Sequence, residues 1–178
     1  THGEALAINA GTSCYFMGQH LLQGTAVSNV QKLQLYDLYF EALRAGHAGQ
    51  AADIEGLWSY LPKAIETGDV TELESRVLAI HRLKTAAPAG ALARMGALVG
   101  SGSAAQIEGL GRYFESLGLA FQMVDDVLNL RGFAGELKTR GEDLAHGKIT
   151  LPVVKALGRL GRAERQHLTD AILAKPQD

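Results

Sequence analysis

From Ala104 to Leu130 the chain offers one long helical segment, and near its end it reads FQMVDDVLNL, residues 121–130. Asp125 and Asp126 stand side by side there in an otherwise apolar run. On a helix, Gln122, Asp125, Asp126 and Asn129 are spaced i, i+3, i+4 and i+7, so they share one face. Phe121, Met123, Val124, Val127, Leu128 and Leu130 occupy the rest of the circumference. A helix apolar nearly all round is expected to be buried, and burying an unpaired charge costs several kcal/mol. The fold must therefore place around this helix either partners for the polar stripe or a wet, charged cavity. A buried salt-bridge network with Arg or Lys from a neighbouring helix is one solution. Adjacent carboxylates repel, however, and one cation leaves the pair badly compensated. A hard divalent cation that favours carboxylate oxygens, Mg²⁺ above all, is the other solution. Spacing alone does not choose between them.

The rest of the chain reads as helix as well. Leu6, Ala10, Cys14, Met17 and Leu21 mark one face of a helix over 5–22. A second helix is predicted from Ser28, as N-cap, through Leu43, with the glycine-bearing GHAGQAADIEGLW less regular. Asp69 is the expected cap of a helix running to about His81. Lys84–Val99 continues helical, with Pro88 forcing a kink or break. The stretch RGFAGELKTRGEDLAHGK is a polar loop, and a last helix runs from near Leu151, with Pro152 in its first turn, toward Ala174. No strand alternation and no internal repeat is visible, so the fold class is all-α.

Charge and cysteine content narrow the partners. The net charge of −2 gives no reason to expect nucleic acid or an anionic membrane surface. No apolar run reaches the roughly 18–20 residues of a spanning helix, and no signal peptide is seen. The single Cys14 excludes an internal disulfide framework and suits a reducing compartment, with a small buried hydrophobe as its expected role. A soluble, cytoplasmic protein is the expectation. With 178 residues, 47% of them hydrophobic, the chain suffices for one domain with a sizeable core. It opens at Thr1 directly in helical periodicity, which reads as part of a longer protein.

The motifs combine into a resemblance. LGLAFQMVDDVLNL followed by ELKTRGEDLAHGKITLPVVKAL resembles the trans-isoprenyl diphosphate synthases, the polyprenyl synthetase family. In that family an AFQ-x-x-DD-x-x-D helix precedes K-x-x-G-x-D-L-x-x-G-K-x-T-x-P. Lys138, Gly141, Asp143, Leu144, Gly147, Lys148, Thr150 and Pro152 stand in those places. HGEALAINAG, HAGQAADI and LKTAAPAGALARMGALVG are similar to further family segments, in order along nearly all of the chain. Two departures stand out. Asn129 replaces the third carboxylate of the second aspartate-rich motif, as in the geranylgeranyl diphosphate synthases of animals and fungi. An amide oxygen still ligates Mg²⁺ or holds a metal-bound water, at lower charge. The family's first DD-x-x-D motif precedes the segment matched by HGEALAINAG, and Asp125-Asp126 is the only Asp pair here.

The resemblance implies an all-α helical bundle of the terpenoid synthase type, present as a single incomplete domain over 1–178, and a homodimer. It implies elongation of an allylic diphosphate with isopentenyl diphosphate, assisted by Mg²⁺. Asp125, Asp126 and Asn129 are the implied metal ligands, and Lys84, Asp125 and Asp126 the implied catalytic residues. Lys84, Thr85, Gln122, Lys138 and Lys148 would bind diphosphate, the lysines as point charges and Thr85 and Gln122 as neutral partners. With half of the implied metal ligands absent, the chain by itself is expected to be inactive.

Each residue also has an ordinary reading. Loop lysines such as Lys138 and Lys148, and Arg140, are mostly solvated surface. Lys84 can simply complement a helix C-terminus, and Gln50 and Asp53 can line the diphosphate cavity but need no function as a helix-packing hydrogen-bond pair. His47, His81 and His146 are not at metal-ligand spacings. Tyr15, Phe16 and Met17 are bulky enough to floor a cavity and equally ordinary as packing residues. Two alternatives remain open at this point: a class I terpene cyclase on the same fold, and a non-catalytic subunit of a heteromeric synthase. The Lys84-Thr85 pair and the Gly147-Lys148 stretch favour elongation over the cyclase, and the retained Lys84, Lys138, Lys148 and Gln122 argue against a non-catalytic subunit.

Overall fold

A computed structural model describes residues 3–132 and 140–174. Every element among them is helical: α1 (Gly3–Gln23), α2 (Asn29–Glu55), α3 (Leu61–Thr67), α4 (Thr71–His81), a π-helical segment (Arg82–Ala86), α5 (Ala87–Val99), α6 (Ala104–Arg131), α7 (Glu142–Ala145), α8 (Leu151–Leu157) and α9 (Arg162–Leu173). A 3₁₀ turn, Trp58–Tyr60, leads into α3. The all-α expectation holds.

Local chemistry sets the boundaries. Ser28 and Ser103 each accept from the backbone N–H three residues on, while Gln31 and Gln106 reach back to the cap N–H. These reciprocal bonds satisfy donors that a helix start otherwise leaves bare. The Asp69 carboxylate accepts the Thr71 N–H at 3.0 Å, although the regular helix begins only at Thr71. Hydrogen bonding from Thr71 holds the Asp69 carboxyl below the usual carboxylate value. Two boundaries differ from expectation. α2 runs unbroken through its glycines to Glu55 and stops at Gly56, whose φ of 76° is left-handed. The C-terminal helix is two helices, because the turn between Gly158 and Gly161 restarts the chain with Gly161 N–H donating to Glu164 Oε2.

The glycine inside α2 has a packing role. A Cβ on Gly49 would lie 2.5 Å from the Lys84 backbone nitrogen. From the other side, a Cβ on Gly118 would lie 2.9 Å from Ala86 Cα. The π segment is thus held between α2 and α6 at backbone contact. Its wide turn is marked by the Ala87 N–H donating to Arg82 O, five residues back. Pro88 has no N–H to continue the ladder, so the expected kink takes the form of a π turn.

Two apolar clusters carry the core. Leu73, Val77, Ile80, Val153, Val154 and Leu157 join α4 to α8, with Leu57, Leu61, Ala64 and Ile172 completing the larger one. Leu22, Leu35 and Leu98 form the smaller one, between α1, α2 and α5. α5 packs between α2 and α6, and Arg94 bridges to Glu41 at 2.7 Å.

Two burial expectations are corrected. Leu6, Cys14, Met17 and Leu21 are exposed, because α1 lies against α2 through Leu22 and through Gly18, which meets Tyr39, rather than through that face. On α6, Phe121 is 64% and Val124 55% exposed, with Val127 and Leu128 also exposed. Only the polar stripe and the flank facing α5 and the π segment are covered, so the helix is apolar around its circumference without being buried all round. Among the described residues, no helix is long and apolar enough to cross a membrane.

Candidate functional site

A cavity of about 590 Å³ opens between α2, the end of α4, α6 and the 142–150 segment. Its floor is the larger core cluster, through Leu57, Val77 and Ile80. The polar stripe of α6 faces it: Gln122, Asp125, Asp126 and Asn129 all line the wall. Lys84 and Lys148 reach in from the π segment and from the segment before α8. Thr85 stands beside them, its Oγ1 donating to Gln122 Oε1 at 2.9 Å. Gln122 Nε2 in turn lies 3.5 Å from Asp125 Oδ2. The residues singled out from sequence are thereby brought together, except Lys138, which lies outside the described residues. Tyr15, Phe16 and Met17 are exposed on α1 and do not line this cavity.

The two adjacent aspartates have different surroundings. Asp126 is 4% exposed and its Oδ2 accepts from His81 Nε2 at 3.0 Å and from the Leu151 N–H at 2.9 Å. Asp125 is half-buried at the cavity wall. Asn129 is buried, and its Oδ1 accepts the Asp143 N–H at 3.3 Å while its carbonyl accepts the Gly141 N–H. It thereby ties the segment after α6 to the cavity rim. Gly141 and Gly147 there have φ of 75° and 73°, which only glycine adopts readily, so the turns that aim Lys148 depend on them.

Sequence reasoning left one contributor open and passed over another. Asp53 Oδ2 lies 2.6 Å from Lys84 Nζ and 3.7 Å from Lys148 Nζ, where a helix-packing role had been equally open. His81 pairs with Asp126 and lines the cavity, its spacing of three before Lys84 placing both on one side of the chain.

The described lining carries the carboxylates Asp53, Asp125, Asp126, Glu142 and Asp143 against the lysines Lys84 and Lys148, five acids to two lysines. An anion entering alone meets net repulsion. No three His, Cys, Asp or Glu side chains among the described residues are placed to hold a metal ion by themselves. Such a donor set fits a Mg²⁺ that divides its coordination between one or two carboxylates, waters and a diphosphate.

Comparison with known proteins identifies the family. The family model for polyprenyl synthetase matches residues 1–178. The chain belongs to the polyprenyl synthetase family. It is 34% identical over 177 residues to geranylgeranyl pyrophosphate synthase 10, mitochondrial, of Arabidopsis thaliana, covering 93% of this chain and 49% of the relative. It is 33% identical over 162 residues to the heterodimeric geranylgeranyl pyrophosphate synthase large subunit 1, chloroplastic, of the same plant, covering 87% and 42%. A short chain isoprenyl diphosphate synthase of Methanothermobacter thermautotrophicus is 44% identical over 101 residues, covering 56% of this chain and 30% of the relative. The chain spans about half the length of the Arabidopsis relatives, 49% and 42%. The described residues present a cavity with paired aspartates, opposed lysines and an apolar floor.

Proposed function

We propose that the protein is a prenyltransferase that condenses an allylic diphosphate with isopentenyl diphosphate to a longer linear isoprenoid diphosphate. The observation that carries this reading is the cavity itself, where Lys84, Lys148 and Gln122, the last bonded to Thr85, meet the Asp125-Asp126 pair above an apolar floor. Lys84 and Lys148 attract the diphosphate as compact charges, and Thr85 and Gln122 offer it neutral hydrogen bonds. As the allylic C–O bond breaks, negative charge grows on the departing diphosphate, and fixed positive charge there lowers the barrier. Asp125 and Asp126 would hold Mg²⁺ against the diphosphate, with Asn129 as a neutral third donor. Bound there, Mg²⁺ supplies neutralisation of the leaving group. The floor of Leu57, Val77 and Ile80 keeps water away from the allylic cation until the alkene of isopentenyl diphosphate attacks and a proton is lost.

The test is incorporation of radiolabelled isopentenyl diphosphate into a longer allylic product by the intact protein, with and without Mg²⁺. Product in the presence of Mg²⁺ supports the reading, and release of a cyclic hydrocarbon instead would replace it with the cyclase. We further propose a homodimer, supported by the exposed apolar faces of α1 and α6, which are surface of the kind that associations bury. Sedimentation equilibrium checks that. The lone Cys14 supports a reducing compartment such as the cytoplasm. The plant relatives carry mitochondrial or chloroplastic in their names, so cell fractionation decides the compartment.

A further inference from the structure

We propose that His81 is a positioning residue for Asp126, holding that carboxylate in the one orientation that meets a Mg²⁺–diphosphate. The inference rests on the function proposed above and deepens it. His81 Nε2 and Asp126 Oδ2 are 3.0 Å apart, with the two side chains only 12% and 5% exposed. An ionised carboxylate accepts and does not donate, so Nε2 carries the hydrogen. The Leu151 N–H donates to the same Oδ2 at 2.9 Å. Two donors from two elements, the last residue of α4 and the first of α8, converge on one oxygen of a side chain that belongs to a third.

A carboxylate anchored this way cannot turn freely about its last bond. Whatever the other oxygen meets, it meets pre-oriented, and ligation then costs less ordering. Partners behind a metal ligand act in this manner, and their loss commonly weakens metal binding tenfold to a hundredfold. His81 also closes α4 at the point where the chain enters the π segment, three residues before Lys84 and four before Thr85. The imidazole therefore registers the diphosphate-binding segment against the aspartate helix. Its own ring lines the cavity beside Lys84 and Asp126.

The experiment compares His81→Leu, which fills the space without a donor, with His81→Gln, which keeps a side-chain N–H. Both are made in the intact protein. Mg²⁺ is titrated by calorimetry at fixed inorganic diphosphate, apo melting temperatures are recorded, and turnover is followed against Mg²⁺ concentration. The proposal expects half-saturating Mg²⁺ to rise tenfold or more in His81→Leu, kcat to return within a few-fold at saturating Mg²⁺, and His81→Gln to recover most of the affinity. Mg²⁺ half-saturation in His81→Leu equal to the unsubstituted protein, with only a lower apo melting temperature, would reduce His81 to a structural clamp and overturn the proposal. If His81→Leu does not fold, His81→Ala replaces it under the same criteria. Failure of the unsubstituted protein to bind diphosphate with Mg²⁺ would remove the proposed function, and this inference with it. Binding there with unchanged Mg²⁺ dependence in the donor-less variant removes the inference alone.

Discussion

Asp53 Oδ2 stands 2.6 Å from Lys84 Nζ and 3.7 Å from Lys148 Nζ, so a single carboxylate oxygen on α2 holds two lysines from different elements over one cavity. Lys148 Nζ also lies 3.6 Å from Asp143 Oδ1. The lysines are half-exposed, their charge is partly compensated, and an incoming diphosphate must draw them away from Asp53. Partly exposed pairs of this kind contribute on the order of 0.2–1 kcal/mol each.

Asp53→Asn is therefore expected to strengthen binding of Mg²⁺-free inorganic diphosphate by about two- to fivefold. Calorimetry on the intact protein measures it. Weaker or unchanged affinity would mean that the two lysines do not serve the anion.

Asp125→Asn keeps shape and removes a charge at the cavity wall. Turnover is expected to fall by about two orders of magnitude or more, equivalent to about 3 kcal/mol of transition-state stabilisation. The apo melting temperature should fall less than for Asp126→Asn, since Asp125 is only half-buried and relief of the repulsion with Asp126 offsets part of what is lost. Asp126→Asn behaves differently. Removing its charge weakens two buried hydrogen bonds, so stability falls by about 1–3 kcal/mol alongside activity. Denaturant melts and turnover on both variants separate the two residues. Equal stability losses would contradict the distinct surroundings described for them.

Asn129→Asp restores an acid where family members outside the Asn-bearing synthases have one. Its Oδ1 can still accept the Asp143 N–H, so the fold is expected to tolerate the change, with tighter Mg²⁺ binding at fixed diphosphate. A large loss of melting temperature would show that the Asn129 amide group is needed by the loop rather than by the cavity.

Gly49→Ala tests the close approach that shapes the site. Its Cβ would fall 2.5 Å from the Lys84 nitrogen, so the π segment must move. A destabilisation of about 1–3 kcal/mol is expected, with loss of diphosphate affinity because Lys84 moves with its backbone. Alanine at Gly96, which has open space around it, serves as the comparison.

The spacing of apolar residues, with Ser28 and Asp69 as start signals, was enough to place α1, most of α2, α4 and α6, because those signals are local. The i, i+3, i+4, i+7 stripe on α6 did mark the cavity wall. What the sequence concealed depends on tertiary neighbours. Gly49 reads as a helix breaker until the Lys84 backbone is seen against it, and so α2 was expected to fray where it continues. Asp53 lies in the HAGQAADI segment but His81 was passed over, and for both only the meeting of α4 and α2 with α6 and the 142–150 segment shows the partners. Cys14 and Met17 lie on an apolar face with the right period, but periodicity names a face and not what covers it.

The central claim is that this cavity takes a diphosphate together with Mg²⁺. The most direct measurement is the melting temperature of the intact protein alone, with Mg²⁺, with inorganic diphosphate, and with both. Five carboxylates facing two lysines predict little stabilisation by diphosphate alone and a clear rise with both ligands. At a hundredfold excess over the dissociation constant that rise corresponds to about 2.7 kcal/mol. Melting temperatures that are the same in all four conditions, or a rise with diphosphate that Mg²⁺ does not enlarge, would contradict the account.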